Sequence, residues 1–418
     1  MATVTFSTVL VNRDRLVQSI EKLAEIGRLP QGGVCRLAYS PEDIAARKLV
    51  QQWMQAAGMT VRIDTAGNII GRYEGQSPHL PALVTGSHID TVPSGGRYDG
   101  ALGVLAGIEV VRVLQENDIR LQHPLEVIVF TDEEGSVIGS KAIAGNIVND
   151  SAYYRRPDGE DIQTCLQRLG GDWYHLYESR RSSQEISAFV ELHVEQGPIL
   201  DSMGKDIGVV EGIVGQRRFT ITVEGSENHA GTTPMYLRQD ALVAASKVVL
   251  AIHELGNTPG QQVATVGQLQ VYPNAVNVVP GKVEMSLDIR DLSNLHIEKL
   301  LQQLEVHLQE IQDITQTRIS LTPRLQIAPA LADDIIQSAI AATCEQLNFS
   351  YTHLPSRASH DAQEMANITD IGMIFVPSHS GVSHAESEYT PPEDCAKGTT
   401  VLLHSLFKLD QYYAHRQL

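Results

Sequence analysis

The sequence predicts an α/β protein with a mixed sheet, into which an α+β domain is inserted. Apolar runs at residues 80–85, 125–131 and 188–193 predict buried strands, and helical patterns lie between them. From about residue 212 to 326 the pattern changes to strand, helix, strand, strand, helix, strand, which is typical of two helices on a four-stranded antiparallel sheet. We therefore expect a discontinuous larger domain, 1–211 with 329–418, and an inserted domain at 212–328.

Helices of the larger domain carry start and stop signals. Residues 12–26 have apolar positions at helical spacing behind the potential cap Asn12. Ser40, Pro41 and an acidic turn begin a second helix, which we expect to end at Gly58. The remaining elements expected in this domain are strands at 59–64, 68–72 and 373–376 and helices at 101–115, 332–347 and 393–409.

The inserted domain is predicted to contain four strands and two helices. Apolar and polar residues alternate, as in strands, at 217–224, 263–271 and 283–290, and a fourth strand is expected before about residue 326. Helical patterns occupy 240–255, ahead of Gly256, and 295–314.

Composition excludes several classes of protein. The 418 residues carry a net charge of -18, which argues against a nucleic-acid binder. No apolar run is long enough to span a membrane, and residues 1–15 lack the apolar core of a secretory signal. The four cysteines are widely spaced, which favours reduced thiols in a cytoplasmic protein.

Metal-ligating side chains follow several of the predicted strands, where open α/β sheets place their chemistry. Imidazoles and carboxylates are the ligands that zinc or manganese prefers. The candidates stand just after strands or in glycine-rich loops: His88, Asp99, Glu134, His193 and His384. Five such ligands could hold two divalent ions about 3.5 Å apart if one carboxylate bridged them. We expect Asp99 to be that bridge, and Asp90 to orient the His88 ring.

The adjacent carboxylates Glu133 and Glu134 call for separate roles, because their charges repel. We predict that Glu134 binds metal and that Glu133 acts as general base and acid.

Other polar residues have structural explanations when each is taken alone. His229 and Asn277 stand in loops with glycine or proline and could stabilise turns. Arg290 could pair with its flanking aspartates, and residues 359–361 could cap the helix that follows them.

Taken together, the motifs resemble a known family. They are Gly-Ser-His-Ile-Asp-Thr-Val-Pro at 86–93, Gly-Arg-Tyr-Asp-Gly at 96–100, Asp-Glu-Glu-Gly at 132–135, Glu-Leu-His-Val-Glu-Gln-Gly-Pro at 191–198, Asn-His-Ala-Gly-Thr-Thr-Pro-Met at 228–235, Asn277 with Arg290, and Ser383-His384. From about Arg13 to the last helix, the chain is similar to the amidase branch of the M20 metallopeptidase-like superfamily. That branch holds N-carbamoyl-L-amino acid hydrolases, β-ureidopropionase and allantoate or ureidoglycolate amidohydrolases.

The resemblance implies the same metal ligands and the same base. It also implies that the inserted domain is a lid and a dimerisation domain, so that the protein is a homodimer. By the resemblance His229 and Asn277 bind the substrate and steady the oxyanion, Arg290 grips the substrate carboxylate, and Gln196 contacts the substrate from the larger domain.

Two features favour the amidase branch over the related peptidases: the short interval between His88 and Asp99, and a histidine at position 193. One motif departs from the branch. Many members carry Ser-Gly-Ala-Gly-His-Asp where this chain has Ser-Arg-Ala-Ser-His-Asp at 356–361. We expect the side chains of Arg357 and Ser359 to affect pocket size and substrate choice.

The sequence thus predicts an amidohydrolase that uses two zinc or manganese ions per subunit and cleaves the carbamoyl C–N bond of N-carbamoyl-L-amino acids or a related small ureido acid. Allantoate or ureidoglycolate is the alternative substrate. A dinuclear dipeptidase or aminoacylase is a more distant alternative, and a non-catalytic binding protein is a third.

Overall fold

Two units make up the chain in a computed structural model, which describes residues 9–154, 156 and 158–416. The larger unit is Met1–Gly212 with Leu331–Leu418, and the inserted unit is Ile213–Ala330. Residues 1–8, part of the segment in which no secretory signal was expected, lie outside the described residues.

A mixed sheet forms the centre of the larger unit, which confirms the predicted α/β class. Its strands are β1 Thr60–Ile63, β2 Ile69–Tyr73, β3 Ala82–His88, β4 Leu125–Phe130, β5 Ile186–Val194, β6 Ile207–Ile213, β15 Tyr351–Ser356 and β16 Asp370–Val376, together with the short β14 (Ala330–Leu331) where the chain returns from the inserted unit. They run in the order β1-β2-β4-β3-β5-β16-β6-β14, and β15 also pairs with β6.

Strands β3, β4, β5 and β16 form the parallel part of this sheet. Every residue of β3 and β4 is buried. Such continuous burial is expected of parallel strands, which helices cover on both faces. The carboxyl ends of the two strands meet at one edge of the sheet, because His88 pairs with Phe130.

Helices of the larger unit pack around the sheet. They are α1 Arg13–Ala24, α2 Pro41–Ala56, α3 Ala101–Glu116, α4 Ile138–Ala144, α5 Ile162–Arg168, α6 Ile199–Met203, α9 Asp334–Leu347, α10 Asp361–Met365 and α11 Pro392–Arg416. The predicted caps are present, since the side chains of Asn12 and Ser40 accept hydrogen bonds from the main-chain N–H groups of Arg15 and Asp43. The short helices α4, α5 and α6 were not predicted, because they are too brief to show a helical period.

The inserted unit has its own sheet and its own hydrophobic core. Its strands are β7 Gly215–Glu224, β8 Asn228–His229, β9 Val263–Thr265, β10 Leu269–Tyr272, β11 Val278–Val279, β12 Lys282–Asp291 and β13 Arg318–Ile327, and its helices are α7 Ala241–Gly256 and α8 Asn294–Thr315. The sheet order is β10-β12-β7-β13, β9 also pairs with β12, and β8 pairs with β11 separately.

The expected four-stranded sheet is therefore five-stranded, because the strand predicted at 263–271 is broken. Thr265 pairs with Asp288 and Leu269 pairs with Met285. Between these two pairs the chain advances four residues from β9 to β10 but only three along β12, so one residue is extra. The N–H groups of Gly267 and Gln268 donate to the Ser286 hydroxyl at this point. This is a β-bulge, which alternation of apolar residues does not reveal.

None of the helices built from described residues has the length and apolar character needed to cross a membrane.

Candidate metal centre

The predicted ligands of the larger unit converge at the carboxyl ends of its parallel strands. His88 is the last residue of β3, Glu133 and Glu134 follow β4, and His193 lies near the end of β5. Asp99 comes from the loop that leads into α3, and His384 from the loop between β16 and α11. The fold thus brings together side chains that are far apart in the sequence.

The carboxylate of Asp99 lies at the centre of this cluster. Its Oδ1 atom is 3.2 Å from Nε2 of His193 and 3.8 Å from Nε2 of His88. Its Oδ2 atom is 3.2 Å from Nε2 of His384, which in turn lies 3.5 Å from Oε1 of Glu134. Two groups able to hold an ion share this carboxylate: His88, Asp99 and His193, and Asp99, Glu134 and His384.

Main-chain carbonyls orient two of the imidazoles. Nδ1 of His88 lies 3.0 Å from the carbonyl oxygen of Asp90, and Nδ1 of His193 lies 2.9 Å from that of Val194. With Nδ1 as the donor, each ring presents Nε2 to Asp99, as a metal ligand requires.

The carboxylate of Asp90 does something other than expected. It lies 3.8 Å from Nδ1 of His88, while its Oδ2 accepts the N–H of Glu134 at 3.1 Å. Asp90 thus orients the His88 ring through its carbonyl oxygen, and its side chain holds the turn that carries Glu133 and Glu134.

Asp99, His193 and His384 strongly affect one another's pKa values. Burial alone would raise the pKa of Asp99, but hydrogen bonds with His193 and His384 outweigh it and hold that pKa well below its usual range. Burial likewise opposes the protonation of His193, yet Asp99 raises the pKa of His193 to about 9. A hydrogen bond with Asp99 raises the pKa of His384 to about 9 as well.

Two further carboxyl groups are destabilised in their charged form. Burial, followed by the charges of Asp361 and Glu134, raises the pKa of Glu133 well above its usual range. Burial and the charge of Asp99 raise the pKa of Glu134 to about 8. A divalent cation among these groups would remove the repulsion. The donor set of imidazoles and carboxylates therefore fits zinc or manganese in both charge and chemistry.

The cluster is buried except on the side of His384. The side chains of His88, His193 and Asp99 are 2%, 1% and 7% exposed, whereas that of His384 is 49% exposed. Catalytic metal sites keep such an open side for water or substrate.

Gly100 makes room for the His88 ring. It has a positive φ of 63°, and an added Cβ would lie 2.4 Å from Cε1 and Nε2 of His88. Any side chain at position 100 would therefore displace this ligand.

Gln196 reaches the cluster from the loop after β5. Its Nε2 atom lies 3.1 Å from Oδ2 of Asp99 and 3.2 Å from Nε2 of His384. The residue adopts a left-handed conformation, with φ of 58°, which costs energy for a non-glycine residue. Oε1 of this amide is buried and has no hydrogen-bond partner among the described residues.

In the inserted unit, His229 and Asn277 lie side by side. The N–H of Ala230 donates to the carbonyl oxygen of Asn277 at 3.0 Å, and both side chains belong to exposed residues. Nδ1 of His229 accepts the N–H groups of Gly231 and Thr232, at 3.0 and 3.2 Å. The neutral ring therefore carries its proton on Nε2 and offers a hydrogen-bond donor to solvent.

Arg290, on β12 of the inserted unit, pairs with one of its two flanking aspartates. Its Nε atom lies 3.0 Å from Oδ1 of Asp288. The same carboxylate accepts hydrogen bonds from Arg218 and Gln216. The other flanking residue, Asp291, binds the N–H of Ser293 and lies 3.0 Å from Nδ1 of His296.

The loop with the unusual residues Arg357 and Ser359 runs from β15 to α10. The expected helix cap is absent, because the His360 side chain makes no capping hydrogen bond. Instead its ring packs edge-on against His193, with ring centroids 4.5 Å apart, and its Nε2 lies 2.8 Å from the Ser356 hydroxyl. Burial raises the pKa of Glu195, although hydrogen bonds from the N–H groups of Leu200 and Ile199 and, to a smaller extent, the charge of Arg357 oppose the rise.

Sequence reasoning missed two buried carboxylates beside the cluster. Glu191 accepts hydrogen bonds from the Ser87 hydroxyl and the Ala362 N–H, at 2.7 and 3.1 Å. Glu388 accepts the N–H of Asp99 at 3.1 Å. Glu191 is the first residue of the motif at 191–198 and stands two residues before His193, although no role was predicted for it. For Glu388 the sequence signal is its position four residues after His384.

Comparisons with known proteins agree with this architecture. The model of peptidase family M20/M25/M40 matches residues 84–408. The chain is 40% identical to N-carbamoyl-L-amino acid amidohydrolase of Geobacillus stearothermophilus over 408 residues, which cover 96% of this chain and 100% of that protein. It is 36% identical to allantoate amidohydrolase of Bacillus subtilis over 410 residues, 95% of this chain and 98% of that protein.

A solved structure is similar along the same length. The crystal structure of an amidase of the hydantoinase/carbamoylase family from Burkholderia multivorans matches with a TM-score of 0.91 and 37% identity, covering 96% of this chain and 99% of that chain. The chain therefore belongs to peptidase family M20/M25/M40 and, within it, to the amidase branch of these metal-dependent hydrolases.

Proposed function

We propose that this protein hydrolyses the carbamoyl C–N bond of N-carbamoyl-L-amino acids or a related ureido acid. The observation that carries the proposal is the position of Asp99, whose two carboxylate oxygens face two separate groups of potential metal ligands. The names of its relatives support the substrate class, since the relative from Geobacillus stearothermophilus is an N-carbamoyl-L-amino acid amidohydrolase.

Two divalent ions per subunit would be held here. His88 and His193 would bind one, Glu134 and His384 the other, and Asp99 both. When bound, zinc or manganese ions polarise a carbonyl group and make water more acidic.

Glu133 is the proposed proton carrier. Its Oε2 lies 3.5 Å from Nε2 of His88, next to the cluster. In the reaction Glu133 takes a proton from the attacking water, whose oxygen forms a bond to the carbamoyl carbon. It then gives the proton to the amino-acid nitrogen as the C–N bond breaks. The products are the free amino acid and carbamic acid, which decomposes to ammonia and carbon dioxide.

Substrate binding is assigned to four residues. The Nε2–H of His229 would donate to the oxyanion that forms at the carbamoyl group, a role for which its tautomer is suited. Arg290 would bind the substrate carboxylate, because its planar guanidinium can donate two parallel hydrogen bonds. Gln196 and Asn277 would contribute amide groups to the same substrate.

The inserted unit is the proposed lid and dimerisation domain, by resemblance to the amidase branch. A homodimer in solution, measured by light scattering after gel filtration, is the expected oligomeric state. A monomer at all concentrations would contradict it.

Allantoate is the second candidate substrate. It is favoured by the similarity to the Bacillus subtilis allantoate amidohydrolase. Hydrolysis of allantoate would use the same groups, because its ureido carbon is bonded in the same way as a carbamoyl carbon.

A substrate panel tests the proposal. The chelator-treated enzyme is loaded with zinc or manganese and assayed with N-carbamoyl-L-amino acids, N-carbamoyl-β-alanine, allantoate and ureidoglycolate. Dipeptides and N-acetyl amino acids serve as the comparison. We expect hydrolysis of the ureido or carbamoyl acids to dominate. Faster cleavage of dipeptides or N-acetyl amino acids, or no hydrolysis with either metal, would overturn the proposal.

A further inference from the structure

One buried carboxylate joins the two loops that carry Asp99 and His384. Glu388 is 4% exposed and lies in the loop between β16 and α11. Its Oε1 atom accepts the main-chain N–H groups of Tyr98 and Asp99, both at 3.1 Å. Its Oε2 atom accepts the hydroxyl of Ser383 at 3.0 Å. A single side chain therefore binds the main chain of one proposed ligand and the neighbour of another.

The loop that carries Asp99 is folded closely around this carboxylate. A Cβ added to Gly96 would lie 2.1 Å from Oε1 and 2.4 Å from Cδ of Glu388. Glycine at position 96 thus lets the main chain approach the Glu388 side chain and present both N–H groups to one oxygen.

On the other side, Glu388 closes a tight turn. Its own N–H donates to the carbonyl oxygen of Ala385 at 3.0 Å, and His384 has a positive φ of 51°. A non-glycine residue holds this conformation only when its surroundings enforce it. The hydrogen bond from Ser383 to Glu388 is one such restraint.

We propose that Glu388 is a positioning residue of the metal centre, which fixes Asp99 and His384 in the arrangement that receives one divalent ion. The inference rests on the proposed function, because it presupposes that these two residues bind metal. Oδ2 of Asp99 and Nε2 of His384 lie 3.2 Å apart although they belong to loops nearly 300 residues distant in the chain. Glu388 links those loops through its two hydrogen bonds with the main chain of Tyr98 and Asp99, and it binds Ser383 within its own loop.

A purely structural role is the alternative, and the chain offers a matched control for it. Asp410 is a buried carboxylate that also accepts two main-chain N–H groups, those of Gln122 and His123, at 2.9 and 2.8 Å. It lies on α11 and holds the chain segment that precedes β4. Asp410 therefore shares the local chemistry of Glu388 but binds none of the proposed ligands.

The experiment compares metal affinity with stability in the full-length chain. Glu388→Ala, Glu388→Gln, Asp410→Ala and Asp410→Asn are titrated with zinc or manganese against a chromogenic chelator, and thermal unfolding of the metal-free forms is recorded. We expect Glu388→Ala to bind one of the two ions, the one assigned to Asp99, Glu134 and His384, about 10- to 100-fold less tightly than wild type, because the loss of groups that orient metal ligands generally has an effect of this size.

The matched variants separate positioning from general stability. Glu388→Gln should recover most of the affinity, because its amide oxygen can accept both N–H groups and the Ser383 hydroxyl can accept from its NH2. Asp410→Ala should lower the unfolding temperature while leaving metal affinity within about twofold of wild type.

Unchanged affinity in Glu388→Ala, or an equal loss of affinity in Asp410→Ala, would overturn the proposal. If Glu388→Ala does not fold, Ser383→Ala, which removes only one of the three hydrogen bonds, must still weaken metal binding severalfold. A wild-type chain that binds neither metal would contradict the proposed function itself, and so is distinguishable from a failure of Glu388 alone.

Discussion

Oε2 of Glu133 lies 3.5 Å from Nε2 of His88, so the proposed general base and a proposed metal ligand meet at one point. Glu133→Gln keeps the size of the side chain but cannot carry the proton. We expect this variant to lose activity by at least about a hundredfold. Its metal content, measured by elemental analysis, should stay near that of wild type.

Glu134→Gln provides the comparison, because the same chemical change at a proposed ligand should lower metal content. A Glu133→Gln enzyme that keeps its activity would show that another group carries the proton.

The tautomer of His229 leads to a second prediction. Since Nδ1 accepts two main-chain N–H groups, only Nε2–H can donate to the substrate. We expect His229→Ala to lower kcat by about 10²- to 10³-fold with a much smaller change in KM, because an oxyanion donor acts mainly in the transition state. Steady-state kinetics with an N-carbamoyl-L-amino acid measure both constants.

Asn228→Ala is the matched control, since Asn228 is the exposed neighbour of His229 and its side-chain amide donates to the carbonyl and hydroxyl oxygens of Ser226. Equal effects of the two substitutions would argue against a specific role for His229.

The shared partner Asp288 allows a sharp test of Arg290. Both Arg290 and Arg218 bind this carboxylate, at 3.0 and 2.8 Å. We expect Arg290→Met to raise KM for a carboxylate substrate by roughly 10- to 100-fold, in line with a charged hydrogen bond worth about 1.5–3 kcal/mol. A substrate whose carboxylate is replaced by a carboxamide should be affected far less.

Arg218→Met removes a cation from the same aspartate and should leave KM nearly unchanged. If both variants raise KM alike, the effect of Arg290 comes from its pairing with Asp288 and not from the substrate.

Proton release should accompany metal binding. The pKa values of His193 and His384 are raised to about 9 and that of Glu134 to about 8 in the metal-free protein. At pH 7 these groups are therefore protonated, and they must lose protons to become ligands. We expect more than one proton to be released per chain at pH 7 and affinity to increase up to about pH 9, beyond which it levels off.

The stability of the metal-free protein should change in the opposite direction. A histidine whose pKa is raised by folding stabilises the folded state fully below its unfolded pKa of about 6.5, and this contribution is lost as pH rises through about 9.

Calorimetric titrations of the protein with metal, in buffers of different ionisation enthalpy, measure the protons that are released on metal binding. Metal binding without proton release at pH 7 would contradict the assignment of these ligands.

Much of the fold was predictable because its signals are local. The mostly apolar runs at 80–85 and 125–131, which become β3 and β4, and the caps at Asn12 and Ser40 specify strands and helices from a few neighbouring residues. His88, Glu134 and His193 stand at strand ends, and a parallel sheet gathers such ends at one edge. For these residues, sequence position alone suggests spatial proximity.

Other features depend on contacts between distant segments. The bulge between β9 and β10 is defined by its pairing with β12, and a glycine inside the strand pattern, Gly267, is its local sign. His88 contacts the carbonyl oxygen of Asp90 and not its carboxylate, because the course of the main chain, which residue type does not reveal, decides this contact. Glu388 escaped notice because a carboxylate in a loop is usually solvated, and only the folded chain shows the loop at residues 96–99 closed around it.

The position of the inserted unit divides the proposed ligands unequally. His88, Asp99 and His193 all precede that unit, whereas Asp99 and Glu134 share their proposed ion with His384, which follows it. One proposed ligand group is therefore encoded entirely ahead of the insertion and the other on both sides of it. Exchanging residues 213–330 for the matching segment of a relative would leave every proposed metal ligand in place.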